Sequence, residues 1–263
     1  MPRFAANLSL LFSENSFLDR FEQAAEAGFE AVEIQFPYEA PKEAIAERLS
    51  RHDLTCVLHN LPPGDWEAGE RGIAILPERV SEFRDGVGRA IDYATTLGCT
   101  RLNCLAGLAP EGISRTRLRD TFLDNLTFAA AELERAGIRL VIEAINTRDM
   151  PGFFLTGTAQ ALDLIAETGS ANLFVQYDVY HMRMMGEDPG AAIAAHLGQI
   201  SHIQVADAPG RHEPGSGAID FSSLFEWLDR IGYDGWVGAE YRPAARTQDG
   251  LDWFAPYRTR PAA

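Results

Sequence analysis

The sequence predicts one α/β domain, a single (β/α)8 TIM barrel over residues 1–263. Three observations point there. Eight apolar, strand-like runs alternate with stretches whose apolar residues recur at helical spacing, which is the βα repeat of a parallel sheet. Four runs in the second half each finish on a polar group able to hold a metal, and a barrel gathers ligands from several strands onto one face in this way. A chain of 263 residues with 46% hydrophobic composition buries a substantial core and suits one barrel better than two packed domains.

The runs fall at roughly 3–8, 31–36, 54–59, 100–106, 138–144, 172–178, 200–205 and 235–240. The first lies in MPRFAANLSLLFSEN, whose apolar stretch is broken by Asn7 and Ser9 and carries no small-residue cleavage site, so it reads as a strand rather than a leader. Between the runs, FLDRFEQAAEAGF, EAIAERLSRH, VSEFRDGVGRAIDYATTLG, RLRDTFLDNLTFAAAELERAG, TAQALDLIAETG, GAAIAAHLG and FSSLFEWLDRIG read as helices. Several end in Gly, the usual residue for a left-handed helix stop. With no linker, low-complexity tract or charge block among the eight units, closure is favoured over an open sheet. The absence of GxGxxG after the first strand removes the dinucleotide site an open sheet would carry. Three connections exceed the needs of a turn: 60–76 (NLPPGDWEAGERGIAIL), 146–155 (NTRDMPGFFL) and 206–219 (ADAPGRHEPGSGAI). All follow strands, and long loops on that face commonly shape or cover a site.

Composition excludes several functions. A formal net charge of −15 opposes nucleic acid as a partner, because such binding draws on Lys and Arg displacing counterions from phosphates. No apolar run is long enough to cross a membrane. Cys56, Cys99 and Cys104 form no CxxC pair, which disfavours a disulfide framework or structural zinc and fits a cytoplasmic enzyme. Lys42 is the one lysine, at the exposed start of a helix, so Schiff-base chemistry lacks a nucleophile. Homo-oligomerisation is left open.

The candidate ligands are Glu143, Asp178, Gln204 and Glu240, closing IRLVIEA, NLFVQYD, ISHIQ and GWVGAE. Three carboxylates and an amide oxygen form a hard, all-oxygen set suited to Mg²⁺ or Mn²⁺ and poorly suited to zinc. His59, at the end of the third strand, and His181, in YDVYHM, are expected at the same face in contact with substrate. His202, two positions before Gln204, shares its side of the strand as a deeper supporting residue. His52 and His196 fall in helical stretches and read as structural. In so acidic a chain an anionic substrate needs local positive charge, and Arg71 and Arg211, on two long loops, offer planar forks for a carboxylate. Trp66, Phe153 and Phe154 are available to exclude water.

The strings LHNLPPGDWEAGERGIA, NLFVQYDVYHM, RHEPGSGAID and GWVGAEY resemble the hydroxypyruvate isomerase family, within the xylose-isomerase-like group of metal-dependent barrels. The resemblance runs from FAANLSLLF to WFAPYR, and its loop string is its most specific part. It implies interconversion of hydroxypyruvate and 2-hydroxy-3-oxopropanoate (tartronate semialdehyde), a small anionic hydroxy-oxo acid, and a place in glyoxylate and carbohydrate metabolism. It also implies that Glu143 and Glu240 double as an acid/base pair and that His181 and Arg211 contact substrate. Ketose 3-epimerases of the group carry His where this chain has Gln204, which sets an epimerase reading back. The 2-oxo-tetronate isomerases share PRFAANLS and the strand-end ligands and are the rival for substrate. A barrel endonuclease would need a His-rich zinc cluster and a basic surface that this chain lacks. A non-catalytic sugar-acid binder would leave the two glutamates without a use.

Overall fold

Strands buried on both faces need near-continuous apolar sequence, and each predicted run forms one. In the computed structural model, which describes residues 1–258, the strands are β1 (Arg3–Asn7), β2 (Ala31–Ile34), β3 (Thr55–Asn60), β4 (Arg101–Cys104), β5 (Arg139–Glu143), β6 (Leu173–Asp178), β7 (Ile200–Val205) and β8 (Trp236–Ala239). They pair in parallel in chain order, and β8 returns to β1 to close the barrel. Around it lie α1 (Arg20–Glu26), α2 (Lys42–Arg51), α3 (Val80–Leu97), α4 (Arg115–Arg135), α5 (Thr158–Thr168), α6 (Val179–Met184), α7 (Pro189–Ala195) and α8 (Phe221–Arg230). No described helix is long and apolar enough to cross a membrane.

The helices dock by the stripes that their spacing announced. α3 buries Phe83, Val87, Ala90, Ala94 and Leu97, and α8 buries Phe221, Leu224, Phe225 and Leu228, each large side chain contributing about 1.5–3 kcal/mol. α3 stops at Gly98, whose φ of 65° is the left-handed turn foreseen at its end. One helix is new. α6 leaves β6 without a connecting loop, because Asp178 Oδ1 accepts the His181 backbone N–H at 3.0 Å and caps it.

The barrel interior divides by height. Ala5, Ala31, Val57, Leu58 and Val141, with Phe174 and Trp236 against them, form an apolar cluster of their own. Nearer the carboxyl ends the inward positions turn polar: Asn7, Glu33, Asn103, Glu143, Gln176, Asp178, His202 and Gln204 are all buried. Two register shifts decide which side chains arrive there. On β3, Val32 pairs with Cys56 and Glu33 with Leu58, so Val57 is an extra residue and the facing of later residues is reversed. On β7, Val175 pairs with Ile200 and Gln176 with His202, which skips Ser201.

Candidate active site

A cavity of about 450 Å³ opens at the carboxyl ends of the strands. Its floor and walls include Glu143, His181, Arg211 and Glu240, while Asn60, Trp66, Arg71, Asp149 and Arg242 stand around them. Asp178 and Gln204 are each 1% exposed and do not line it; they lie in the polar layer of the barrel.

Each carboxylate is held from its own side. Glu143 Oε2 accepts from Asn103 Nδ2 at 3.1 Å. Glu240 accepts from Gln35 Nε2 at 2.9 Å and Asn7 Nδ2 at 3.1 Å on one oxygen, and from Arg211 Nη2 at 2.8 Å on the other. Asp178 keeps Oδ2 for the site, 3.7 Å from His181 Nε2 and 4.0 Å from Arg211 Nη2. Burial pushes the Glu143 pKa well up, and the charges of Glu240 and Asp178 add to it. Burial also raises Asp178 to about 6 and Glu240 to about 7, with Arg211 opposing both shifts. Burial works against the Arg211 charge too, but Glu240, Asp178 and Glu143 outweigh it and the guanidinium pKa rises.

The hydrogen bonds fix the tautomer of His181. Asn146 Oδ1 accepts from the backbone N–H groups of Arg148 and Asp149 at 3.0 and 2.9 Å, so its amide NH₂ is the end that lies 2.7 Å from His181 Nδ1. The Asn146 backbone N–H points to the same nitrogen at 3.4 Å. With two donors on Nδ1 that atom is an acceptor, and the ring hydrogen sits on Nε2, 3.7 Å from Asp178 and 3.9 Å from Glu143. Burial and the neighbouring Arg211 lower the His181 pKa well below its ordinary value, so the ring is a neutral donor facing the carboxylates. Glu143, Asp178 and His181 bring potential ligand atoms within 4.8 Å of one another. The tautomer makes His181 a hydrogen-bond donor there, which leaves the oxygen donors to hold a cation.

The donor chemistry fits a hard divalent cation. Burial raises the pKa of all three carboxylates, and whatever protons they carry would leave when a cation entered. Among the described residues, Asn103 Oδ1 and Gln176 Oε1 are buried acceptors without a protein donor, as Arg211 Nε is a buried donor without an acceptor.

Loop 206–219 is organised from within. The Asp207 carboxylate, fully buried, accepts from the backbone N–H groups of Ala208, Gly215, Gly217 and Ile219 at 2.8, 2.9, 2.8 and 3.1 Å. Its carbonyl accepts from Arg211 N at 2.7 Å. Arg211 takes a left-handed φ of 57° and crosses the Tyr180 ring at 5.3 Å. Arg71 stacks on Trp66 at 4.1 Å and donates to the Trp66 and Glu70 carbonyls. The backbone beside it fits closely: a Cβ on Gly72 would sit 2.5 Å from the Leu105 carbonyl oxygen, so only glycine lets the two loops touch.

The structure thus brings Glu143, Asp178, His181, Arg211 and Glu240 together and sets Arg71 at the rim, with Gln204 in the layer beneath. His59 is placed elsewhere. The extra residue on β3 turns it outward, where its ring meets Tyr38 edge-on at 5.9 Å and Nδ1 lies 3.2 Å from the Asn60 carbonyl. Asn60 takes the inward position, and burial lowers the His59 pKa to about 4. Phe153 and Phe154 are core, whereas Trp66 lines the cavity. Glu33, Asn7, Gln35, Asn103 and Arg242 were not foreseen. For Glu33 and Gln35 a signal existed: in EAVEIQF, Ala31, Glu33 and Gln35 alternate with period two and share the barrel side.

Compared with known proteins, the sequence matches the xylose isomerase-like TIM barrel family over residues 21–257. The chain belongs to that family. It is 48% identical over 260 residues to the 2-oxo-tetronate isomerase of Cupriavidus necator, covering 99% of this chain and all of that protein. It is 49% identical over 258 residues to the hydroxypyruvate isomerase of Escherichia coli, covering 98% and 100%. Among solved structures, a protein from Brucella melitensis described as an AP endonuclease of family 2 superposes with a TM-score of 0.96 at 47% identity, covering 98% of this chain and 100% of that one. With isomerases matching along its full length, this member of the family is an isomerase.

Proposed function

We propose that the chain interconverts hydroxypyruvate and 2-hydroxy-3-oxopropanoate by proton transfer between adjacent carbons, with Glu143 and Glu240 as the acid/base pair. The observation that carries this reading is that both glutamates open on one small cavity, shared with Arg71, Arg211 and Arg242, in a chain of net charge −15. Three arginines there balance the acids Glu143, Asp149 and Glu240, so the cavity is far less acidic than the chain as a whole, and a guanidinium fork matches a carboxylate. Glu143, Asp178, Gln204 and Glu240 would hold Mg²⁺ or Mn²⁺, and the bound cation would polarise the substrate carbonyl and stabilise negative charge on its oxygens.

The residues supply the proton movements. One glutamate takes the carbon-bound proton beside the carbonyl, leaving an enediolate, and the same or the other glutamate returns a proton to the neighbouring carbon. The hydroxyl proton passes from one oxygen to the other, so carbonyl and hydroxyl exchange places and no redox cofactor is consumed. The His181 Nε2–H faces the carboxylates and is the neutral donor available to an oxyanion.

A 2-oxo-tetronate, one carbon longer, is the alternative substrate, supported by the nearly equal identities of the two relatives. DNA is disfavoured by the acidic balance and by ligands that are all oxygen. The test is a panel of hydroxypyruvate, 2-oxo-tetronates and free ketoses at fixed Mn²⁺, with the Glu143→Gln and Glu240→Gln variants alongside. Turnover of a hydroxy-oxo acid, with solvent hydrogen exchanged into it and a loss of at least about 100-fold in both variants, supports the reading. Preference for a free ketose, or near-normal turnover in both variants, sinks it.

A further inference from the structure

Below the cavity floor lies a carboxylate that the chemistry above does not use. Glu33 is fully buried and accepts from Asn7 Nδ2 at 2.8 Å and Gln204 Nε2 at 2.7 Å on one oxygen, and from His202 Nε2 at 2.6 Å on the other. Three side-chain donors meet it. The room it occupies is left by a glycine, since a Cβ on Gly238 would lie 2.2 Å from Glu33 Oε2. A buried acid placed at this much cost in packing freedom needs a role, because a buried charge destabilises unless it is fully hydrogen-bonded.

The contact with Gln204 defines that role. A side-chain amide has two ends, and only the oxygen ligates a hard cation. Glu33 holds Nε2, and Gln176 Nε2 donates to Gln204 Oε1 at 2.6 Å. Reversing the amide would set Oε1 against the Glu33 carboxylate, a repulsive contact, whereas Gln176 could answer by turning its own amide, whose Oε1 has no partner among the described residues; Glu33 therefore decides the orientation. Gln176 belongs to β6, the strand that ends in Asp178, and Asp178 pairs in register with Gln204. The oxygen is therefore held toward the strand bearing Asp178, with one lone pair uncommitted. Through Asn7, whose amide also reaches Glu240 Oε1 at 3.1 Å, the same carboxylate steadies a second site residue.

We propose that Glu33 is a positioning residue that selects the oxygen end of the Gln204 amide, and so makes position 204 a cation ligand. This rests on the reading of Gln204 as a ligand given above. In Glu33→Gln the new amide can donate to Gln204 Oε1, the Gln204 orientation is no longer dictated, and the NH₂ end competes for the ligand position. In Gln204→Glu two carboxylates face each other across the former hydrogen bond. The exchange variant Glu33→Gln with Gln204→Glu restores one donor and one acceptor and leaves no wrong end at 204.

The test is Mn²⁺ binding to metal-free protein without substrate, by titration calorimetry and by the electron paramagnetic resonance signal of free Mn²⁺. The expected result is a 10- to 100-fold weaker Kd for Glu33→Gln, the range typical of a lost outer-sphere partner, with at least 10-fold recovered in the exchange variant. If Glu33→Gln does not fold, recovery of both fold and Mn²⁺ binding in the exchange variant supports the proposal. Wild-type affinity in a folded Glu33→Gln protein overturns it and leaves the metal reading intact, as does an exchange variant that binds no better than Glu33→Gln. A wild-type protein that binds no Mn²⁺ overturns both, and the substrate panel then stands as a separate question.

Discussion

Replacing Asp207 by Asn tests how loop 206–219 holds Arg211 over the carboxylates. The substitution keeps shape and volume but turns one oxygen into an NH₂ group. Oδ1 accepts from Ala208 and Ile219, and Oδ2 from Gly215 and Gly217. Whichever way the new amide turns, two backbone N–H groups lose their acceptor and meet a donor. Hydrogen bonds to a charged group contribute about 1.5–3 kcal/mol each, so two give roughly 3–6 kcal/mol. Gly215 and Gly217 lie on exposed loop and recover part of this from water when the amide keeps its oxygen toward the buried side. The expected loss is therefore at the lower end, about 3 kcal/mol in a urea unfolding curve. Because the same loop carries Arg211, KM for the acid substrate should rise with it, by about 10-fold for a loss of about 1.4 kcal/mol in binding. A variant within about 0.5 kcal/mol of wild type, the range of ordinary surface changes, with unchanged KM, would refute the view that this carboxylate organises the loop.

Other expectations can be measured in the same way. Burial holds the His59 pKa at about 4 against about 6.5 in an unfolded chain. Between those values the unfolded state binds more protons, so this contribution is complete above about pH 6.5 and is lost as pH falls toward 4, on the order of 3 kcal/mol in all. The stability gap between wild type and His59→Gln should therefore shift with pH across that window, and parallel pH curves would contradict the assignment. Gly238→Ala should destabilise by at least about 2 kcal/mol, because its Cβ meets a Glu33 carboxylate held by three donors; a wild-type melting temperature would show that Glu33 can move aside. Arg71→Met should raise KM for a hydroxy-oxo acid by about 10-fold or more with little change in kcat, and a kcat effect alone would place Arg71 outside substrate binding. Full activity in rigorously metal-free protein would contradict the cation site.

Much of the site was legible because parallel barrel strands are buried on both faces and so appear as apolar runs. A carboxylate closing such a run, as Glu143 closes RLVIE and Asp178 closes LFVQYD, stands out against its neighbours. Glu240 is the same signal displaced by one residue, since β8 ends at Ala239. Glu33 gave a weaker signal, because one acid in AVEI resembles the polar face of a half-exposed strand. Arg242 gave none, lying past the last strand in a segment without pattern. The helix α6 was hidden for another reason: six residues are too few for a helical period to show, and its start depends on Asp178 serving as both cap and site residue.

The sequence by itself determined the eight-fold alternation, the carboxyl-end clustering of Glu143, Asp178 and Glu240, and the acidic balance that makes the three cavity arginines informative. These depend on local composition and period, which are written along the chain. Only the tertiary structure decided that His59 faces outward while Asn60 faces in, that His181 presents its Nε2–H to the carboxylates, and that Glu33 grips the amide of Gln204. Each turns on a register shift or on a partner up to 171 residues away, and a one-residue slip in a strand moves a side chain to the opposite face with no change in the pattern before it.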